Sequence, residues 1–320
     1  MCNTWRASGF ENVCAKEVFG TYYPRVHRNR RRFLGLMSFD DLPPLPALIH
    51  PDGPRYVDHI MTLGRQAQSA TRCVLDQPYG PDYWQKLDVY LPDGESHADL
   101  PVLCFLPGGA WVNGCKEWLA FMAPAIVGTP AAFVAVSYRH APAARFPAQL
   151  EDTLDAVGWI LRNIAKYGGN PHRIHLGGHS AGGHLAALAT LRRDAARARG
   201  VPDGAIQSCL AISAPFDLAS DDPVRRQKVA SFLSRPEDVT VASPICFTMG
   251  NHVRFHITYG AKDLPELIPQ ASRMADALRA AGNVAELLEL ECRNHFNTHE
   301  DCGIADRPWT TRVRTLLRNT

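Results

Sequence analysis

Residues 175–188 read HLGGHSAGGHLAAL. An apolar run ending at Gly177 suits a buried strand, and the run from Leu185 onward suits a buried helix. Between them Gly178-His179-Ser180-Ala181-Gly182 leaves room only for a sharp strand-to-helix turn with Ser180 at its tip. Small residues two before and two after the serine let neighbouring segments pack close. The first N–H groups of the helix lack intrahelical partners, so negative charge is welcome beside the serine. A phosphate loop fits less well, because no lysine follows the glycines and they do not space as G-x-G-x-x-G.

The rest of the chain repeats the same theme. Strand-like runs fall at Cys73–Leu75, Leu87–Tyr90, Val102–Leu106, Ala132–Val136, Ile174–Gly177, Ser208–Ser213, Arg254–Tyr259 and Ala285–Leu290. Several are continuously apolar, as parallel strands covered on both faces must be. Helical spacing occupies Phe146–Tyr167, Leu185–Ala198, Ile268–Ala281 and Thr310–Leu317. Alternating strands and helices predict a mostly parallel, doubly wound α/β sheet of about eight strands with helices on both faces. The first two runs, separated by Gly80-Pro81-Asp82, suit an antiparallel pair at the sheet edge. Residues 40–70, proline-rich and then helical over Arg55–Gln68, interrupt the alternation, as does the polar segment 217–250. Both are expected to lie over the mouth of a site as a small lid.

A serine hydroxyl is a weak nucleophile until a base takes its proton. On a turn of this kind the acid and then the histidine follow in chain order, each just after a late strand. Asp263 closes the run RFHITYGAKD, and one helix and one strand later comes Arg293-Asn294-His295-Phe296. Ser180, Asp263 and His295 are therefore the candidate triad. Asp217, in SAPFDL, is a rival acid better suited to a cap or a lid contact. His299 is expected to be peripheral, and His184 to pack or hydrogen-bond behind the site. Acyl transfer also needs donors for the developing oxyanion. The N–H of Ala181 is one, and FLPGGAWVNG after the run at Val102–Leu106 offers Gly108 and Gly109 as the others.

PGGAW, YRHAP, FPAQLEDTLDAVGWI, YGGNPHRIHLGGHSAGGHLAAL, GAKD and NHF stand in an order that resembles α/β-hydrolases of the kynurenine formamidase and hormone-sensitive-lipase-like carboxylesterase group. The likeness covers about residues 70–320. Gly-Gly before an aromatic, Cys115-Lys116-Glu117, FMAP and NHF lean to the formamidase branch; Tyr138-Arg139-His140-Ala141-Pro142 and Phe146-Pro147 resemble the esterase branch. The resemblance implies the α/β-hydrolase fold and a metal-free serine hydrolase without cofactor, working through an acyl-enzyme on a small ester, formamide or amide. In it the tyrosine-arginine segment supports the glycine loop. Trp111 and Phe296 are candidate substrate walls. One departure stands out: Pro107 occupies the place where both branches carry histidine, which puts the substrate in question more than the chemistry. The alternatives are a carboxylesterase without formamidase activity and a hydrolase-like binding protein that does no catalysis.

Charge and cysteine usage exclude other classes. The chain of 320 residues carries a net charge of +2. Seven basic residues against two acidic ones in 1–36 give that segment a surplus of five, leaving −3 and no basic stripe for nucleic acid in the remainder. The basic extension 1–36 is expected to be a solvated tail, with Met37 as an alternative start and 37–320 as a single domain. Arg30-Arg31-Arg32-Phe33-Leu34 looks like an export signal, but the acidic and broken SFDDLPP follows where an apolar segment is needed. No apolar run approaches the roughly 20 residues of a membrane span. The nine scattered cysteines lack metal-ligand spacing and point to neither disulfides nor zinc. A cytoplasmic location is expected, with a small-molecule substrate as the partner; a homodimer is compatible with the sequence.

Overall fold

A computed structural model describes residues 38–40, 42–94 and 97–319, so the basic extension 1–36 lies outside the described residues. The strands are β1 (Arg72–Pro78), β2 (Lys86–Leu91), β3 (Leu100–Leu106), β4 (Ala132–Val136), β5 (Gly169–His179), β6 (Ile206–Ile212), β7 (Arg254–Lys262) and β8 (Ala285–Asn294). The helices are α1 (Gly53–Ala70), α2 (Ala123–Val127), α3 (Ala148–Asn163), α4 (Ala181–Leu191), α5 (Arg193–Ala198), α6 (Pro223–Phe232), α7 (Ile268–Ala280), α8 (Asn297–Glu300) and α9 (Pro308–Arg318).

One eight-stranded sheet runs in the order β1-β2-β4-β3-β5-β6-β7-β8. β1 and β2 pair antiparallel at the edge and β2 meets β4 antiparallel, while every other pair is parallel. This is the expected mostly parallel, doubly wound sheet, and each of the eight runs lies on or overlaps a strand. Residue alternation in β3 shows why both faces must be covered: Val102, Cys104 and Leu106 enter one apolar cluster, and Leu103 and Phe105 enter the other. The α3 stripe of Leu150, Leu154, Val157 and Ile160, with Ile164 just past the helix end, is buried on the first of these faces.

Some boundaries differ from the sequence reading. The helix expected over Leu185–Ala198 begins at Ala181 and breaks at Arg192 into α4 and α5. Its first turn is Ala-Gly-Gly-His, too small and polar to show helical periodicity. Segment 217–250 holds α6 and two short 3₁₀ turns, and 40–70 holds α1. Because β3, β5, β6, β7 and β8 are parallel, the loops leaving them gather along one edge of the sheet. The candidate residues lie on those loops.

A buried ion cluster fixes the antiparallel end of the sheet to the loop after β3. Lys116 Nζ lies 2.9 Å from Asp76, 3.0 Å from Asp88 and 2.6 Å from Glu117. Lys116, Asp88 and Glu117 are almost wholly buried. Burial pushes the Asp88 carboxyl up to about 6 despite Lys116 pulling it down, and the three carboxylates hold the Lys116 ammonium firmly charged. Removing the one cation from buried anions costs about 3–5 kcal/mol, so Lys116→Met should lose about that much in urea unfolding at neutral pH. Without the ammonium the native state holds protons that the unfolded chain releases, so stability of the variant should rise as pH falls from 7 to 5. A loss that is flat with pH would remove this account of the cluster.

Candidate active site

Ser180 stands between β5 and α4 at φ 53° and ψ −120°, a left-handed conformation that non-glycine residues rarely adopt. The glycines around it permit the turn. A Cβ added to Gly178 would lie 2.3 Å from the Gly182 backbone, and one added to Gly182 would lie 2.2 Å from the Leu106 carbonyl oxygen. Helix and strand therefore cross at backbone contact, and the serine hydroxyl projects at the sheet edge.

The structure brings the three triad candidates together. His295 Nε2 is 3.0 Å from Ser180 Oγ, and His295 Nδ1 is 2.8 Å from Asp263 Oδ1. A carboxylate only accepts, so the Nδ1 proton points at Asp263 and the Nε2 lone pair faces the serine hydroxyl. Burial pushes the Asp263 carboxyl up, but the hydrogen bond and charge of His295, the Ser213 hydroxyl and the Leu264 N–H outweigh it and hold the group below the usual carboxylate range. His295 sits on a tight turn. Asn294 Oδ1 accepts from the N–H groups of Phe296 and Asn297 at 3.0 Å each, and Asn294 N–H donates to Asn297 Oδ1 at 2.6 Å.

Gly108 and Gly109 follow β3, the strand beside β5. A Cβ on Gly108 would sit 3.2 Å from the Ser180 Cβ and 2.8 Å from His179 Nδ1, and Gly109 has φ 132°. Both positions demand glycine, one for space and one for conformation. Among the described residues neither N–H donates to a backbone carbonyl. Ala181 opens α4, where the N–H has no intrahelical partner. The loop is braced without a histidine at 107. Tyr138 Oη donates to the Pro107 carbonyl at 3.1 Å and His140 Nε2 donates to that of Gly114 at 2.7 Å. Arg139 is clamped in turn by the fully buried Asp152, which accepts its N–H at 2.8 Å and its guanidinium at 2.6 Å.

Trp111 is buried, with its ring stacked on Phe232 of α6 at 4.4 Å and 17°. Its indole N–H donates to His184 Nδ1 at 3.1 Å, and His184 Nε2 donates to the Ala242 carbonyl at 2.7 Å. Burial holds His184 neutral by pushing it down to about 4. Phe296, also buried, packs between Tyr56 at 4.8 Å and His50 at 5.0 Å. Segments 40–70 and 217–250 thus each supply an aromatic neighbour to a candidate wall residue. Asp217 stands apart from the triad and accepts from Arg273 at 2.5 Å. His299 is buried behind it, with Nδ1 2.7 Å from the Tyr56 hydroxyl. Sequence reasoning passed over Phe232, Tyr56 and His179; only His179 had a local signal, its place inside the serine turn. Among the described residues no group of three or more His, Cys, Asp or Glu is arranged to hold a metal ion, and no helix is long and apolar enough to cross a membrane.

The BD-FAE family matches residues 87–278, the span that carries the glycine loop, the serine turn and Asp263. The chain belongs to that family, among the carboxylesterase-type α/β-hydrolases. It is 32% identical over 301 residues to the esterase LipC of Mycobacterium tuberculosis, covering 86% of this chain and 72% of LipC. It spans only 53% of a second esterase from that organism, LipQ. Kynurenine formamidase of Danio rerio is 29% identical over 241 residues, covering 73% of this chain and 78% of that one. Among solved structures, an esterase from Pyrobaculum calidifontis superposes with a TM-score of 0.68 at 22% identity, covering 83% of this chain and 91% of that one, a likeness of fold.

The Trp111–His184–Ala242 chain is testable by itself. Trp111→Phe keeps a ring against Phe232 but leaves the buried His184 Nδ1 without a donor. A loss of about 1–3 kcal/mol is expected in urea unfolding, and a variant as stable as wild type would remove the bond's structural role.

Proposed function

We propose that this BD-FAE family member is a serine esterase acting through an acyl-enzyme, with Ser180 as nucleophile, His295 as base and acid, and Asp263 as the group that orients His295. The observation that carries the reading is the pair of contacts made by one imidazole, 3.0 Å to Ser180 Oγ and 2.8 Å to Asp263. His295 takes the serine proton as Oγ attacks the acyl carbonyl, and Asp263 stabilises the imidazolium so formed. The N–H groups of Gly108, Gly109 and Ala181 hold the oxyanion, and water later releases the acyl group. The left-handed conformation of Ser180 supports this, since strain at such a turn keeps the hydroxyl exposed.

Trp111 and Phe296 are proposed as opposite walls for the substrate, with 40–70 and 217–250 covering the mouth through His50 and Phe232. Small esters are the proposed substrates. Formamidase activity is the second reading, favoured by the 29% identity to kynurenine formamidase over most of both chains.

Ser180→Ala should abolish turnover of p-nitrophenyl acetate and labelling by a fluorophosphonate; persistence of either would overturn the nucleophile assignment and favour a non-catalytic binding role. Gly108→Ala, whose methyl would press on His179 and Ser180, should lower kcat by about 10²–10³-fold, the usual cost of an oxyanion donor. Values of kcat/KM for N-formylkynurenine against short p-nitrophenyl esters separate the two substrate readings, and a strong preference for the formamide would displace the esterase one.

A further inference from the structure

His179 lies between Gly178 and Ser180 and is buried to 2% exposure. Its ring packs against that of His295, 4.8 Å away between centroids. Nε2 lies 2.8 Å from the main-chain carbonyl oxygen of His295. A carbonyl only accepts, so the ring's proton is on Nε2 and Nδ1 is bare. That Nδ1 has no hydrogen-bond partner and is packed by Gly108.

The same carbonyl takes a second donor, Thr298 Oγ1 at 2.8 Å. Thr298 Oγ1 lies 2.9 Å from the Ser213 hydroxyl and, having given its own proton to the carbonyl, accepts from it. A polar belt thus runs behind the triad, from Ser213 through Thr298 to the His295 carbonyl and on to His179. Its last link has particular leverage. Ser180 follows β5 and His295 follows β8, with β6 and β7 between them. Apart from the catalytic contact itself, the His179 bond joins the residue beside the nucleophile directly to the backbone of the base.

We propose that His179 is a positioning residue: through its Nε2–H it fixes the main chain of His295, and so sets the separation at which His295 Nε2 meets Ser180 Oγ. This deepens the serine-esterase reading and rests on it. The ring suits the task because it does not take up charge. Burial drives the His179 imidazole well below its ordinary range, and the neighbouring His295 and His299 push the same way. His299, stacked on it at 4.8 Å and 7°, is pushed down to about 3 by burial. When His295 becomes an imidazolium, the rings packed behind it stay neutral and do not compete with it for Asp263.

Three variants test the proposal. The amide nitrogen of Gln in His179→Gln reaches the place of Nε2, His179→Asn is one methylene too short, and His179→Phe keeps a ring without a donor. Misplacement of a catalytic pair by about 1 Å costs about 10²-fold, so Asn and Phe should each lower kcat on p-nitrophenyl acetate by about that factor with KM within about twofold. Gln should keep kcat within about fivefold of wild type, and the rate of fluorophosphonate labelling should follow the same order. The Gln and Asn variants differ by one methylene, so their comparison holds even if the Phe variant fails to fold. Equal kcat in Gln and Asn, or a loss confined to KM, overturns the positioning role while leaving Ser180-dependent turnover intact. Turnover by the wild type that survives Ser180→Ala overturns the underlying reading as well.

Discussion

The backbone contact between β5 and α4 is the constraint on which the site depends. Gly178 meets Gly182, Gly182 meets the end of β3, and a Cβ on Gly183 would lie 2.8 Å from that of Ala214. Any side chain at these positions would push the helix off the strands. Ser180 would then lose both its left-handed turn and its place above the sheet edge. The helix begins immediately after the serine, so the same closeness that strains Ser180 also presents unpaired N–H groups beside its hydroxyl. The proposed nucleophile, the proposed oxyanion donor and the fold are therefore consequences of one arrangement of small residues.

The second support is the loop from 107 to 116, which is held from three sides. Tyr138 and His140 bind its carbonyls, and the Asn113 amide donates to the Pro46 carbonyl in the segment before α1. Lys116 anchors its far end among three carboxylates. Pro107 carries no N–H to be held and fixes its own φ. Bracing through its carbonyl by Tyr138 is thus the connection this residue can accept. The position where the resemblance leads one to expect histidine is stiffened from the neighbouring strand's loop instead.

Much of this architecture was legible in the residues because parallel strands covered on both faces are apolar throughout and stand out one by one. Asp263 and His295 could be named from their place after late strands, and the structure sets both within hydrogen-bond reach of one another. What escaped has a common physical cause. Helix α6, PVRRQKVASF, buries only Val229 and Phe232 and carries no apolar stripe. Its stacking on Trp111 depends on packing that no spacing records. The belt of Ser213, Thr298 and His179 is equally silent, because each of its bonds ends on a main-chain carbonyl or a hydroxyl remote in sequence. Side chains that bind backbone leave no complementary residue to read.

The buried histidines show how one residue type is divided between chemistry and support. His179, His184 and His140 each turn Nε2 toward a backbone carbonyl at 2.7–2.8 Å. Such a partner accepts one hydrogen bond but supplies little to offset the cost of burying a charge. Burial pushes all three downward, and each serves as a neutral, fixed donor. His295 differs in one contact: its Nδ1 meets a carboxylate in place of a carbonyl. That partner would support the cation left by the proposed proton transfer from Ser180. A carboxylate opposite one ring nitrogen and Ser180 opposite the other separate the histidine proposed to act from these three.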